Sequence, residues 1–153
     1  MANTYSQNFV HLIFAVKFRE AMIHPDWEVE LHKYISGIVA NKGQKMLAIN
    51  GTANHIHLFI GFKPDCCLSN LVREIKKSSN DFIKENHFTK TPFKWQEGFG
   101  SFTYANSQVD VVIKYIQNQK EHHRKKTFQE EYLNFLTKFK VDYNPNFLFD
   151  WNE

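Results

Sequence analysis

The spacing of apolar residues divides the chain into alternating strand and helix signatures. "NFVHLIFAVKF" (8–18) is rich in β-formers and predicts a first strand. Pro25 then sits where a helix can begin, and Trp27, Leu31, Tyr34, Ile35 and Ile38 repeat at three-to-four spacing until "NKG" (41–43) closes the segment. Two short strands follow at 45–49 and 55–62, with a turn around Asn50 and Gly51, and they pair most simply as a hairpin. Beyond Pro64 a second helix is signalled by Leu71, Val72, Ile75, Phe82 and Ile83, with Ser69 as its expected cap. The aromatic, glycine-punctuated stretch 93–107 predicts a fourth strand with loops. A third helix covers "QVDVVIKYIQNQKEHH" with Val109, Val112, Ile113 and Ile116 as its buried stripe. Residues 125–138 predict a further helix, and 139–153 is a tail ending in the non-periodic "NPNFLFDWNE".

The order β-α-β-β-α-β followed by helices predicts an α+β class fold. It is a ferredoxin-like (RRM-like) antiparallel sheet with helices on one face, plus C-terminal helices, built as a single domain over 1–153. In the third strand, period two sends Ile56, Leu58, Ile60 and Phe62 to one face and His55, His57, Phe59 and Gly61 to the other. The aliphatic side is expected to meet the helices, leaving the histidine side on the open face of the sheet.

Composition narrows the class. At 153 residues, with 42% hydrophobic and 16% aromatic residues, the chain can bury a core and is not a disordered segment. The formal charge of +3 is mild, but basic residues concentrate in "REIKKSSNDFIK" (73–84) and "KEHHRKKTF" (120–128), which are either solvated helix faces or contacts for phosphate. Cys66 and Cys67 are neighbours and offer no disulfide framework, so a reducing cytoplasm is expected. With no charged n-region before the first apolar stretch and no run near the ~20 residues of a membrane span, no membrane partner is expected.

Two imidazoles on one strand face can share a metal ion, but the pair needs further ligands. On the third helix Tyr115 and Gln119 are four residues apart and stack on one stripe, which His122 nearly continues. A tyrosine hydroxyl can act as a nucleophile and a glutamine carbonyl can ligate a metal. The blander alternative makes Tyr115 a half-buried helix aromatic, Gln119 a surface residue and the histidines ordinary exposed strand residues.

"GTANHIHLFIGFKP", "LSNLVREIKKSSNDFI", "FKWQEGFGSFTYANSQ" and "VVIKYIQNQKEHHRKKTFQEEYLNFL" together resemble, in order and spacing, the single-tyrosine HUH transposases of insertion sequences that move as single-stranded DNA, and the related REP-associated tyrosine transposases. The resemblance implies His55 and His57 as metal ligands, Gln119 completing the site around Mg or Mn, and Tyr115 as the nucleophile. It implies a 5′-phosphotyrosine intermediate, a free 3′ hydroxyl and recognition of DNA hairpins. Arg73, Lys76, Lys77, Arg124, Lys125 and Lys126 are candidates for backbone contact with the hairpin. Tyr104 is the main competitor for the nucleophile. Many members carry Asp before the first histidine where this chain has Asn54, which keeps a hydrogen bond and loses a charge. The loop "GFGSFTYANS" also departs from the usual Gly-Tyr-Gly-Ala-Phe form.

The resemblance further implies a homodimer in which each active site joins the histidines of one subunit to the tyrosine helix of the other, with the strand near Phe14 or Val16 expected to be exposed and to pair the two sheets. Two rivals stand beside this reading. One is a domesticated hairpin DNA- or RNA-binding module that no longer cuts. The other is a zinc hydrolase, disfavoured because no additional His or acid stands at ligand spacing.

Overall fold

The computed structural model describes residues 3–153. Strands β1 (Asn8–Ala15), β2 (Lys45–Gly51), β3 (His55–Phe62) and β4 (Gly100–Thr103) form one antiparallel sheet in the order β2-β3-β1-β4. Helix α1 (Pro25–Asn41) links β1 to β2 and helix α2 (Leu68–Glu85) links β3 to β4, so each crossover skips one strand, as the ferredoxin-like order requires. Among the described residues no helix is long and apolar enough to cross a membrane.

Local chemistry explains the elements. In α1, Pro25 opens the first turn, His24 Nδ1 accepts from Asp26 N–H, and Trp27, Leu31, Ile35 and Val39 form the buried stripe. Helix α2 buries Leu71, Val72, Ile75, Ser79 and Ile83, and its cap position is Cys67, two residues earlier than the expected Ser69. Strand β1 stops at Ala15 because the next residue, Val16, leaves the ladder to bridge Trp95.

The face carrying Leu12, Phe14, Ile56 and Leu58 packs against α1 and α2, as expected. Phe14 meets Trp95 edge-on at 4.8 Å, and Trp95 donates from Nε1 to the buried Ser79 hydroxyl on α2. Phe14 and Val16 are therefore completely buried, and the strand surface expected to pair two sheets does not exist.

The second face is not open either. Helices α3 (Val109–Gln117), α4 (Gln119–His122) and α5 (Phe128–Lys138) cover it. Val112 and Ile116 of α3 pack on Ala48 and Phe59, and His11, His55 and His57 are all fully buried. The expectation of an exposed histidine face fails because the amphipathic C-terminal helices need an apolar surface, and this was the one left to them.

The expected third helix is interrupted at Asn118. Asn50, near the end of β2, donates from Nδ2 to the carbonyls of Ile116 and Gln117, which an unbroken helix would have given to later N–H groups. Gly51 beside it is obligatory: an added Cβ would lie 2.3 Å from the His55 carbonyl oxygen. The non-periodic tail is docked rather than loose. Phe149 is buried, Trp151 packs on Phe128, and Gln96 both donates to the Asp150 carbonyl and accepts from its N–H.

Candidate active site

His55 and His57 project from β3 under the C-terminal helices, where His123, just past α4, and Glu131 of α5 join them. One ligand atom from each of these four residues lies within 4.8 Å of the others. The Nε2 atoms of His57 and His123 each approach Glu131 Oε1 at 3.0 Å, and His55 Nε2 stands 3.4 Å from the same oxygen. On the other carboxylate oxygen, Oε2, the Tyr115 hydroxyl and Gln119 Nε2 both donate. The helix stripe of Tyr115 and Gln119 thus converges on the histidine pair within one chain. Tyr104 stays apart, with its ring against Phe59 and Phe139.

The hydrogen-bond accounting at His55 indicates what the cluster lacks. Asn54 Nδ2 donates to the Trp151 carbonyl, which fixes Asn54 Oδ1 as the atom facing His55 Nδ1 at 2.7 Å. Nδ1 therefore carries the proton, and Nε2 points a lone pair at two acceptors, Gln119 Oε1 at 3.2 Å and Glu131 Oε1. Burial pushes the His55 pKa down to about 4, so a second proton does not resolve the conflict at neutral pH. A cation does: three imidazoles and a carboxylate suit a divalent transition metal. Asn54 accordingly keeps the orienting bond to the first histidine without the charge that an Asp would bring.

Other ionisations follow from the same crowding. Burial alone would raise the Glu131 carboxyl, but the His57 imidazole and hydrogen bonds from His123 and His57 outweigh it and hold the group well below the ordinary carboxylate range. Burial, reinforced by the neighbouring Glu131 carboxylate, pushes the Tyr115 phenol far above its usual range. Tyr104 is pushed up to about 12 by burial alone.

The two basic runs separate in space. Arg73 and Lys77 are exposed on α2 and, with Lys94, line a cleft of about 490 Å³ against the 94–99 loop. Lys76 in that cleft is half-buried, donates to the carbonyls of Gln96 and Gly98, and is lowered to about 8 by desolvation. It is a strut for the loop more than a free phosphate contact. Arg124, Lys125 and Lys126 are exposed and line a second cleft of about 430 Å³ that also contains His123 and Asn54, so this run alone borders the histidine cluster.

The family model described as "Transposase IS200 like" matches residues 4–119. The chain belongs to this family of IS200-like transposases. Two solved structures share the transposase fold. One is a Deinococcus radiodurans protein assigned as a transposase, with a TM-score of 0.62 and 20% identity, covering 76% of this chain and 94% of that one. The other is a REP-associated tyrosine transposase bound to a REP hairpin, with a TM-score of 0.61 and 17% identity, covering 79% of this chain and 72% of that one. No curated protein matches the chain.

Three residues in or against this cluster escape a linear reading: His123, Glu131 and His11. Glu131 carried a signal, since it lies on the same stripe as Phe128, Tyr132 and Phe135, where an acid has no place in a purely apolar core. His11 carried another, since it faces the same side of the sheet as His57. With His123 and Glu131 in place, a zinc hydrolase can no longer be set aside for want of ligands.

Proposed function

We propose that this transposase cuts and rejoins single-stranded DNA at hairpin-bearing ends through a 5′-phosphotyrosine formed on Tyr115. The observation that carries the reading is the hydrogen bond from the Tyr115 hydroxyl to Glu131 Oε2, on the carboxylate whose other oxygen faces three histidines. His55, His57, His123 and Glu131 are the residues that would hold the metal, with Gln119 Oε1 adjacent. When bound, the metal withdraws charge from the scissile phosphate. The imidazole-rich donor set favours Mn over Mg, which prefers oxygen ligands.

Glu131 Oε2 accepts from and orients the Tyr115 hydroxyl; in the cleavage step the phenolic oxygen attacks phosphorus in line and its proton passes to water. The bond from phosphorus to the 3′ oxygen breaks, and that oxygen leaves to end as a hydroxyl, taking a proton from solvent. Because the phosphotyrosine retains the diester energy, the same hydroxyl can reverse the reaction without a nucleotide cofactor. The burial of His55 and His57 requires α4 and α5 to shift before a strand reaches them, and the break at Asn118 supplies a joint. Arg124, Lys125 and Lys126 lie where they can track a strand entering beside His123, while Arg73 and Lys77 offer a separate phosphate surface for a hairpin stem.

The resemblance also implied a homodimer with shared sites. Here one chain joins Tyr115 to its own histidines, so we assign each site to a single chain whether or not two chains associate. With Cys66 and Cys67 free, we place the reaction in the reducing cytoplasm.

The specific observation that favours a second reading, a metal hydrolase, is the His55, His57, His123 and Glu131 donor set itself. The test is incubation with single-stranded DNA from the flanks of the protein's own gene, followed by a denaturing gel. A covalent protein–DNA adduct supports the tyrosine reading. Cleavage without an adduct favours the hydrolase, and hairpin binding without cleavage favours a domesticated binding module.

A further inference from the structure

His11 is completely buried at the centre of the sheet, yet among the described residues only one of its ring nitrogens has a partner. Its Nε2 lies 2.7 Å from His57 Nδ1, while its own Nδ1 finds no hydrogen-bond partner among the described residues. Around it stand the rings of Phe102, Tyr104 and Phe135, with Phe135 edge-on at 5.2 Å. A histidine left half-satisfied in an aromatic cage costs stability, so its retention asks for a reason.

The shared proton supplies one. A nitrogen-to-nitrogen hydrogen bond holds one hydrogen, and which ring carries it decides what His57 presents to the cluster. If His11 Nε2 donates, His57 Nδ1 accepts and the His57 proton sits on Nε2, where it donates to Glu131 Oε1 at 3.0 Å. All N–H groups of the pair are then bonded, but His57 has no lone pair for a cation. If His57 Nδ1 donates instead, its Nε2 lone pair faces the cluster, and the His11 proton moves to the unpartnered Nδ1.

We propose that His11 is a positioning residue for the metal site: it accepts from His57 Nδ1 when a divalent cation is bound, and the two rings exchange tautomers when the cation leaves. In most metal sites a carboxylate or carbonyl accepts the outer proton of a ligating histidine and stays fixed. An imidazole in that position is both donor and acceptor, so it can satisfy His57 in either state. His55 shows the contrast, because Asn54 Oδ1 can only accept and holds it permanently in the ligating tautomer. One histidine of the pair is preset, and the other is switched.

This inference rests on the metal reading above, and the experiment separates the two. Nitrogen-15 spectra of the histidine side chains are recorded for the metal-free protein and after titration with Zn²⁺ as a diamagnetic probe. Affinities for Zn²⁺ and Mn²⁺ are measured calorimetrically for the unaltered protein, His11→Phe and His11→Gln, with a thermal melt of each metal-free form. The expected spectra show both His11 and His57 protonated on Nε2 without metal and on Nδ1 with it. His11→Phe is expected to weaken binding by about 10- to 100-fold, the range for loss of an outer hydrogen-bond partner. His11→Gln, whose side-chain oxygen can accept from His57 Nδ1, is expected to restore most of it whatever its melting temperature. If the unaltered protein binds neither ion, the metal reading and this inference fall together. If it binds while the His11 tautomer stays fixed, or a folded His11→Phe binds as tightly as the unaltered protein, only the role of His11 is refuted. The spectra of the unaltered protein decide the matter even if His11→Phe does not fold.

Discussion

Replacing Tyr115 with Phe removes one oxygen and leaves the ring between His122 and Phe135, with which it packs at centroid distances of 4.6 and 5.8 Å. The lost hydroxyl donates to a buried, ionised carboxylate, a bond of the charged class worth about 1.5–3 kcal/mol. Glu131 Oε2 retains Gln119 Nε2 at 2.9 Å, so the carboxylate is not stranded and the lower part of that range, about 1.5–2 kcal/mol, applies. For a chain of this size each kcal/mol shifts the melting temperature by about 2–4 °C, which gives a fall of about 3–8 °C. Tyr115→Phe should therefore fold, melt slightly earlier, retain hairpin binding and form no covalent adduct on a denaturing gel with gene-flank DNA. Tyr104→Phe should form the adduct normally, because its ring is packed away from Glu131. An adduct that survives Tyr115→Phe and disappears with Tyr104→Phe would reverse the assignment. An unchanged melting temperature would show that the Tyr115 to Glu131 bond contributes nothing in solution.

Metal at about 100 times its dissociation constant should add about 2.7 kcal/mol, read as a rise in melting temperature that His55→Ala or His57→Ala abolishes along with cleavage. Full cleavage in excess EDTA would sink the metal-assisted mechanism. The metal-free protein should lose stability as pH falls from about 6.5 to about 4: the unfolded chain takes up a proton on His55 in that window, while the folded chain does not until about 4. Melting temperatures flat across the window would contradict the burial of an uncharged His55. Substituting Arg124, Lys125 and Lys126 together with Ala should reduce the salt dependence of single-strand binding by a slope of about 2, since each phosphate contact contributes about 0.7. Lys76→Ala should instead lower the melting temperature, because Lys76 holds the Gln96 and Gly98 carbonyls; equal salt slopes would refute the division of labour. Mixing Tyr115→Phe with the His55→Ala, His57→Ala double variant, with subunit exchange verified, should restore no cleavage. Recovery would show that two chains share a site.

What the sequence determined by itself is the order and type of the elements and the helix stripe on which Tyr115 and Gln119 lie. Period two in 55–62 and the three-to-four spacing in 25–41 are local properties, fixed by backbone geometry whatever the rest of the chain does, and both elements appear at those boundaries. The same logic put Tyr115 and Gln119 on one stripe, and both reach the cluster. Local periodicity is silent on what docks against a face once it exists. The C-terminal helices sealed the histidine side and buried His55 and His57, because their apolar stripes had to be removed from water and the helices α1 and α2 had already taken the other face. That docking brought His123 and Glu131 to residues more than sixty positions away in sequence and gave the site its carboxylate. The pairing of β1 with β3 set His11 against His57 across neighbouring strands, through a register that no single segment encodes. Lys76 is tied to carbonyls while Lys77 beside it stays exposed, a difference between adjacent lysines that only the packing of α2 against the 94–99 loop decides.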